Sequence, residues 1–325
     1  MERILVIKLG ALGDVVMATP LVDAIVRHHG DAAVTLLTTP AFAPLFAPWP
    51  GLTVHASERR GARAMLRLAQ WLRGGRFDRI YDLQGNDRTR VLCALAGSRE
   101  RVGNHARFPY THHPTTAWTG QSHIFARMVE VLASAGVEVQ ADTPLLPAGA
   151  HERATVDAWL AAHGVRDQRL VLLHAGASAQ RAEKRWPHFA ALAARLRAAG
   201  CTPVWLGAGA ERALIATLAA PGDLDASGAF DILALAELGR RAAFAVTNDS
   251  GPMHVLAAAG IPVFGLFGPS DWRRNHALGQ AGHVIAAVEL LADYRGRRTA
   301  DCLGELDVDL VWTRLAASGV VDPLS

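Results

Sequence analysis

Ile4-Leu5-Val6-Ile7-Lys8-Leu9-Gly10-Ala11-Leu12-Gly13-Asp14-Val15 carries the reading of the fold. The run from Ile4 to Leu9 is short and apolar enough to be one strand buried on both faces. Gly10-Ala11-Leu12-Gly13 turns the chain, and a helical pattern follows from Asp14 to His29. A buried strand that passes through a glycine turn into a helix is the repeating unit of a parallel α/β sheet.

The unit recurs along the chain. Strand signals at Ala33–Thr38 and Arg79–Leu83 alternate with helical patterns at Arg63–Leu72, Thr89–Ala96 and Gln121–Ala135, and Gly103–Gly120 reads as a long loop. Val137–Gly149 contains Pro144 and Pro147 and is the expected linker. The alternation then restarts. Strands are expected at Leu170–His174, Pro203–Leu206, Ala243–Val246 and Pro262–Leu266. Helices are expected at Pro187–Ala199, Ala210–Ala219, Pro252–Ala259 and Val308–Ala317, the first begun by its proline. The expected fold is α/β, with Rossmann-like domains at 1–148 and 149–325 and a ligand cleft at the carboxyl ends of their strands. The last helix is free to pack back on the first domain.

Composition narrows the class. The chain has 325 residues, half of them hydrophobic and 19% charged, which describes folded rather than disordered protein. Cys93, Cys201 and Cys302 form no CxxC pair and are odd in number, against a disulfide scaffold or zinc knuckle. The apolar run Ile4–Ile7 is too short for a signal peptide, and Ser250–Ser270 is interrupted by Gly260, Pro262, Gly265 and Gly268, unlike a membrane span. The expected location is cytoplasmic, with any membrane contact peripheral.

Charge is unevenly spread. Between Arg59 and His113 twelve arginines face four acids, a local excess of eight positive charges in a chain whose net charge is +3. Such a region calls for an anionic partner, or is an arginine-rich solvated surface. Arg60, Arg63 and Arg67 share a helical spacing that would concentrate the field beside Arg59. Aromatics are 6% and do not alternate with the arginines, which disfavours nucleic acid.

Four turns carry candidate chemistry. Gly10–Asp14 lacks the GxGxxG dinucleotide spacing. Asp14, at a helix start, suits an N-cap, the ordinary use of aspartate there, or a general base at a strand end. His174-Ala175-Gly176-Ala177-Ser178 ends a strand, and Lys184-Arg185-Trp186-Pro187 follows; the lysine suits phosphate, or is one of two ordinary surface cations. Asn248-Asp249-Ser250-Gly251-Pro252-Met253-His254 joins a strand to a helix whose first N–H groups suit an anion, with a cap at Asp249 or Ser250 as the plain alternative. Glu211 follows Gly207-Ala208-Gly209-Ala210 and fits either ribose hydroxyls or simple complementation of a helix dipole.

Taken together, Ile4–Val15, His174–Ser178 with Lys184–Pro187, Asp249–His254, Leu266-Phe267-Gly268-Pro269-Ser270-Asp271 and Cys302-Leu303 resemble the ADP-heptose:lipopolysaccharide heptosyltransferase family, in its order and over nearly the whole chain. The resemblance implies a GT-B fold and inverting glycosyl transfer without a metal or other cofactor, the ADP-sugar being a co-substrate. It implies that the second domain holds the nucleotide sugar through Ser178, Lys184, Glu211, Asp249, Ser250, Gly251, Pro252 and His254. Asp14 becomes the expected base, and Lys184 the group that stabilises departing ADP. Gly13 and the Arg59, Arg60, Arg63, Arg67 cluster become the expected acceptor site. The acceptor would be an anionic Kdo or heptose sugar on lipid A at the inner-membrane surface.

After Asp271 the chain departs from the family pattern: Trp272-Arg273-Arg274-Asn275-His276 stands where a proline and then a glycine-proline are expected. A different sugar or acceptor, or a nucleotide-binding protein without catalysis, stays open. Lys8 and Lys184 are the only lysines beside 31 arginines, and both fall in these segments; Lys8 has no assigned role.

Overall fold

A computed structural model describes residues 1–58, 62–292 and 303–323, the side chains of residues 62–64 and 179 apart. The chain divides into two compact units, Met1–Leu145 and Leu146–Ser325.

The first unit runs β1 (Arg3–Ile7), α1 (Leu12–Met17), α2 (Thr19–His29), β2 (Ala33–Thr38), β3 (Leu52–Ala56), α3 (Ala62–Gly75), β4 (Arg79–Asp82), α4 (Asp87–Ala96), β5 (Glu100–Val102) and α5 (Ile124–Ala133). Its five strands are parallel, in the order β3-β2-β1-β4-β5. Ile4, Leu5, Val6 and Ile7 are fully buried, as a central parallel strand requires. The helix expected over Asp14–His29 is two helices. The chain breaks at Ala18, where Thr19 Oγ1 donates to the Val16 carbonyl at 2.7 Å and Pro20 occupies the first turn of α2. Proline lacks the N–H that would have continued α1 and is well placed at a new start. β3 and β5 carry no clear apolar pattern because they are edge strands, only partly buried.

The second unit runs α6 (Ala150–Ala162), β6 (Arg169–His174), α7 (Phe189–Ala198), β7 (Cys201–Trp205), α8 (Arg212–Leu218), β8 (Leu224–Asp225), α9 (Ile232–Arg240), β9 (Phe244–Asn248), α10 (Gly251–Ala257), β10 (Val263–Phe267), α11 (Trp272–Asn275), β11 (Val284–Ala286), α12 (Ala287–Leu290) and α13 (Val308–Ala317). Its six parallel strands are ordered β11-β10-β9-β6-β7-β8. Two cores cover its faces. Val171 and Leu173 join Phe189, Trp205 and Trp312 on one side, while Leu170 and Leu172 join Val204, Leu238 and Met253 on the other. This is the alternation of a strand buried on both faces. α13 packs on α7 within its own unit. Pro187 does not start α7; it precedes the N-cap, His188.

Two parallel sheets flanked by helices make this an α/β protein, as the expected GT-B fold requires. Among the described residues no helix is long and apolar enough to cross a membrane.

Candidate functional site

In an open parallel sheet the strand order reverses where two neighbouring strands send their following helices to opposite faces, and a crevice opens there. In the second unit that point lies between β6 and β9. The loops leaving them, His174–Ser178 and Asn248–Gly251, are stapled by Asn248. Its fully buried amide donates to the carbonyls of Ala175 (2.8 Å) and Gly176 (3.1 Å), and its Oδ1 accepts the Trp186 N–H at 3.0 Å. One side chain thus gathers three of the quoted segments. Sequence reasoning gave Asn248 no role.

Beyond the staple lies an ion pair. Lys184 ends a short turn, Ala179–Lys184, and its Nζ donates to Asp249 Oδ2 at 2.5 Å. Ser270 Oγ donates to the same oxygen at 2.5 Å. The side chains are only 16% and 8% exposed. A desolvated carboxylate that holds one lysine donor leaves the ammonium two others for a ligand. Ser250 stands at the N-cap of α10 but does not cap it: its hydroxyl bonds His174 Nδ1 at 3.0 Å and the Asn248 carbonyl at 3.2 Å. The expected side-chain cap from Asp249 or Ser250 is therefore not made, because each has another partner. His254 is buried in α10, and Ser178 is exposed.

Glu211 closes the crevice on the β7 side. Its Oε2 accepts the Ala208 N–H at 2.8 Å and lies 3.7 Å from His174 Nε2. The neighbouring His174 imidazole leads in holding its carboxyl below the usual range, with the Ala208 N–H and the nearby Arg185 charge adding to it, against burial. Gly176 is required for this approach, since a Cβ there would lie 1.7 Å from Glu211 Oε1. His174 therefore bridges Ser250 and Glu211, a linking role only its strand-end position hinted at.

In the first unit the strand order reverses beside β1, and the loops after β1 and β4 meet. Lys8 Nζ donates to the Leu83 carbonyl at 3.1 Å, and Leu9 N–H to Gln84 Oε1 at 2.8 Å. Lys8 is 5% exposed. Burial pushes its pKa down, while the charges of Asp14 and Asp82 pull it back up. Asp14 is not the N-cap of α1. Ala11 is, and Asp14 lies one turn in, its Oδ2 accepting the Ala11 N–H at 3.2 Å. Asp14 and Lys8 line one small pocket with Met17, Leu21, Phe125 and Met128. Behind them Asp82 is fully buried. Desolvation raises its carboxyl, opposed by hydrogen bonds from Tyr110 Oη at 2.6 Å and the backbone N–H groups of Gly85 and Gln84.

Arg59 and Arg60 lie outside the described residues, as does the Arg63 side chain; Arg67 is exposed on α3, and Gly13 is buried in α1. Arginines also gather around a cavity of about 510 Å³ lined by Arg90, Asn104, His105, Arg107, Trp118 and Arg127. Arg127 is almost fully buried, its Nε on Asn104 Oδ1 at 2.5 Å and its Nη1 on Glu130 Oε2 at 2.6 Å. The basic segment and the 103–120 loop were visible in the sequence; their convergence with α5 was not. The Trp272–His276 departure forms α11, braced by Trp272 Nε1 and Arg273 Nη2 on Glu289 Oε1 at 3.0 and 2.9 Å.

The profile of glycosyltransferase family 9 (heptosyltransferase) matches residues 65–298. No curated protein matches the chain. Among solved structures, a glycosyl transferase family 9 protein from Veillonella parvula is 22% identical, with a TM-score of 0.80 over 97% of both chains. E. coli ADP-heptose lps heptosyltransferase II is 22% identical, with a TM-score of 0.72 over 94% of this chain and 98% of its own. E. coli heptosyltransferase WaaC with ADP is 18% identical, with a TM-score of 0.68 over the same shares. These likenesses are of fold.

Proposed function

The chain belongs to glycosyltransferase family 9, and from that membership we propose that it moves a heptose from ADP-heptose to an anionic sugar of the lipopolysaccharide inner core, with inversion at the anomeric carbon. The observation that carries this reading is the Lys184–Asp249 pair at the sheet crevice of the second unit. Asp249 positions the lysine, and Lys184 meets the diphosphate of the donor, where negative charge grows as ADP departs. Backbone N–H groups of the Ser250–His254 turn add to it. Glu211 is offered to the ribose, with Ser178 at the open end of the loop. In the first unit Asp14 takes the proton of the attacking acceptor hydroxyl. The acceptor's acidic group is received by the basic surface that includes Arg67 and the Arg90–Arg107–Arg127 cavity. This assignment leaves the charge on ADP to protein groups and routes no step through a metal.

The test is a panel of nucleotide sugars with a soluble Kdo-bearing acceptor, scored by nucleotide release and by the configuration of the product linkage. ADP-heptose turnover to an inverted product is expected. Preference for a uridine donor would overturn the donor assignment, and ADP binding without transfer to any acceptor would overturn catalysis. Mass spectrometry of core oligosaccharide from cells lacking the protein identifies the sugar it adds.

A further inference from the structure

Large apolar side chains are exposed at few places. Among the described residues they are Met1, Leu66, Val91, Leu95, Phe108 and Val288. Four of the six fall between residues 66 and 108, inside the segment with eight excess positive charges. One exposed leucine means little, but a cluster flanked by like charge does.

Three of the four lie on one pair of helices, α3 and α4. On α4, Arg88, Val91 and Leu95 recur at i, i+3 and i+7 and turn outward, while Leu92, Cys93 and Ala96 pack into the core. On α3, Leu66, Gln70 and Arg73 recur at i, i+4 and i+7 on the exposed side, opposite buried Leu68 and Leu72. The two helices pack side by side, and Arg73 Nε crosses between them to the Leu95 carbonyl at 3.1 Å. The outward surface of the pair therefore carries Leu66, Val91 and Leu95 together with Arg73 and Arg88, with Gln70 between Leu66 and Arg73 and Asp87 at the start of α4. Arg90 and Arg107, chain neighbours of Val91 and Phe108, both line the basic cavity.

We propose that the outward face of α3 and α4 seats the protein on an anionic lipid bilayer. Arginines at its border meet lipid phosphates while Leu66, Val91 and Leu95 enter the acyl boundary, the two-part attraction of an interfacial helix surface. Charge complementarity selects this occupant: an anionic lipid surface answers both the apolar side chains and the excess positive charge of the segment, whereas a neutral protein partner answers only the first. Seating here puts the basic cavity at the lipid surface. That purpose rests on the proposed glycolipid acceptor, whereas the surface itself does not.

The experiment is co-sedimentation of the full chain with vesicles of phosphatidylcholine containing about a third phosphatidylglycerol, and with phosphatidylcholine alone. The chain should pellet with the anionic vesicles only, and less so as salt rises. The triple variant Leu66→Ser/Val91→Ser/Leu95→Ser should bind at least about ten-fold more weakly, while its turnover on a soluble, delipidated acceptor stays that of the wild type. Arg73→Gln/Arg88→Gln should weaken binding and flatten the salt dependence. Equal binding of the triple variant, or no binding of the wild type, overturns the proposal. So does a wild-type dimer that the triple variant breaks, since the face would then join two copies of the chain. Vesicle binding without any glycosyl transfer would overturn the functional reading and leave this one standing.

Discussion

Lys184 and Asp249, 65 residues apart, form a 2.5 Å ion pair in which the carboxylate is more deeply buried than the ammonium. Removing the lysine strands a desolvated charge. Lys184→Ala should cost about 1–3 kcal/mol of stability. It should also weaken ADP binding about ten-fold or more, because a cation facing a diphosphate is lost. Lys184/Asp249 double variants should lose less than the sum of the singles. Lys184→Arg should keep most stability and still lose affinity, since a planar fork replaces a point charge. Calorimetric titration with ADP and thermal melting check these; an unchanged ADP affinity would remove Lys184 from the anion site.

Asp14→Asn preserves an acceptor for the Ala11 N–H and so the start of α1. Transfer should fall about 10²- to 10⁴-fold, the range for a lost general base. ADP affinity should not move, because every residue assigned to the nucleotide belongs to the second unit. Wild-type turnover in this variant would take Asp14 out of the mechanism.

Gly176→Ala brings a methyl group to 1.7 Å from Glu211 Oε1 and 2.5 Å from its Cδ. The glutamate must swing away and lose His174. The expected result is a folded protein with weaker nucleotide binding and a Glu211 carboxyl returned toward its ordinary pKa. Carboxyl titration followed by nuclear magnetic resonance reads the second effect directly.

Burial lowers the pKa of His29, His55, His276 and His283. For a base whose folded pKa lies below its unfolded value, the unfolded chain binds more protons in the window between the two. Stability is therefore full above about pH 6.5 and is lost as pH falls through the lowered folded values. Glu211 adds a further loss below its ordinary range, while Asp82, raised by burial, acts with the opposite sign. His55 stacks on Trp71 at 3.7 Å with ring planes 10° apart, and phenylalanine can keep that stack. His55→Phe should flatten the fall in melting temperature between pH 7 and 5. An unchanged slope would remove His55 from it.

The strands that matter most were legible because burial on both faces leaves a solid apolar run: β1, β6, β9 and β10 all appear in the sequence within a few residues of their ends. α6 was not legible, since only Val156 of its thirteen residues is fully buried and no stripe forms. α9 was missed as well, although it packs on α6 and α10. At the site, residue types at strand ends pointed to His174, Lys184, Glu211 and Asp249. Their partnerships were hidden, because spacing along a chain does not say that Asn248 reaches Ala175 or that Lys8 reaches Leu83. The Arg59–Arg63 portion of the basic cluster lies outside the described residues and side chains.

Trp186 faces two ways. Its backbone N–H binds Asn248 at the crevice, and its indole Nε1 donates to the Leu306 carbonyl at 2.5 Å, just ahead of α13; His188 Nε2 meets the Gly304 carbonyl at 2.9 Å close by. The tail of the chain is thereby tied, through one tryptophan, to the segment that presents Lys184. A frameshift or nonsense allele that spares every donor-side residue but ends near residue 300 should mimic an active-site lesion. Purification tags and fusions placed close behind α13 act on the same lever.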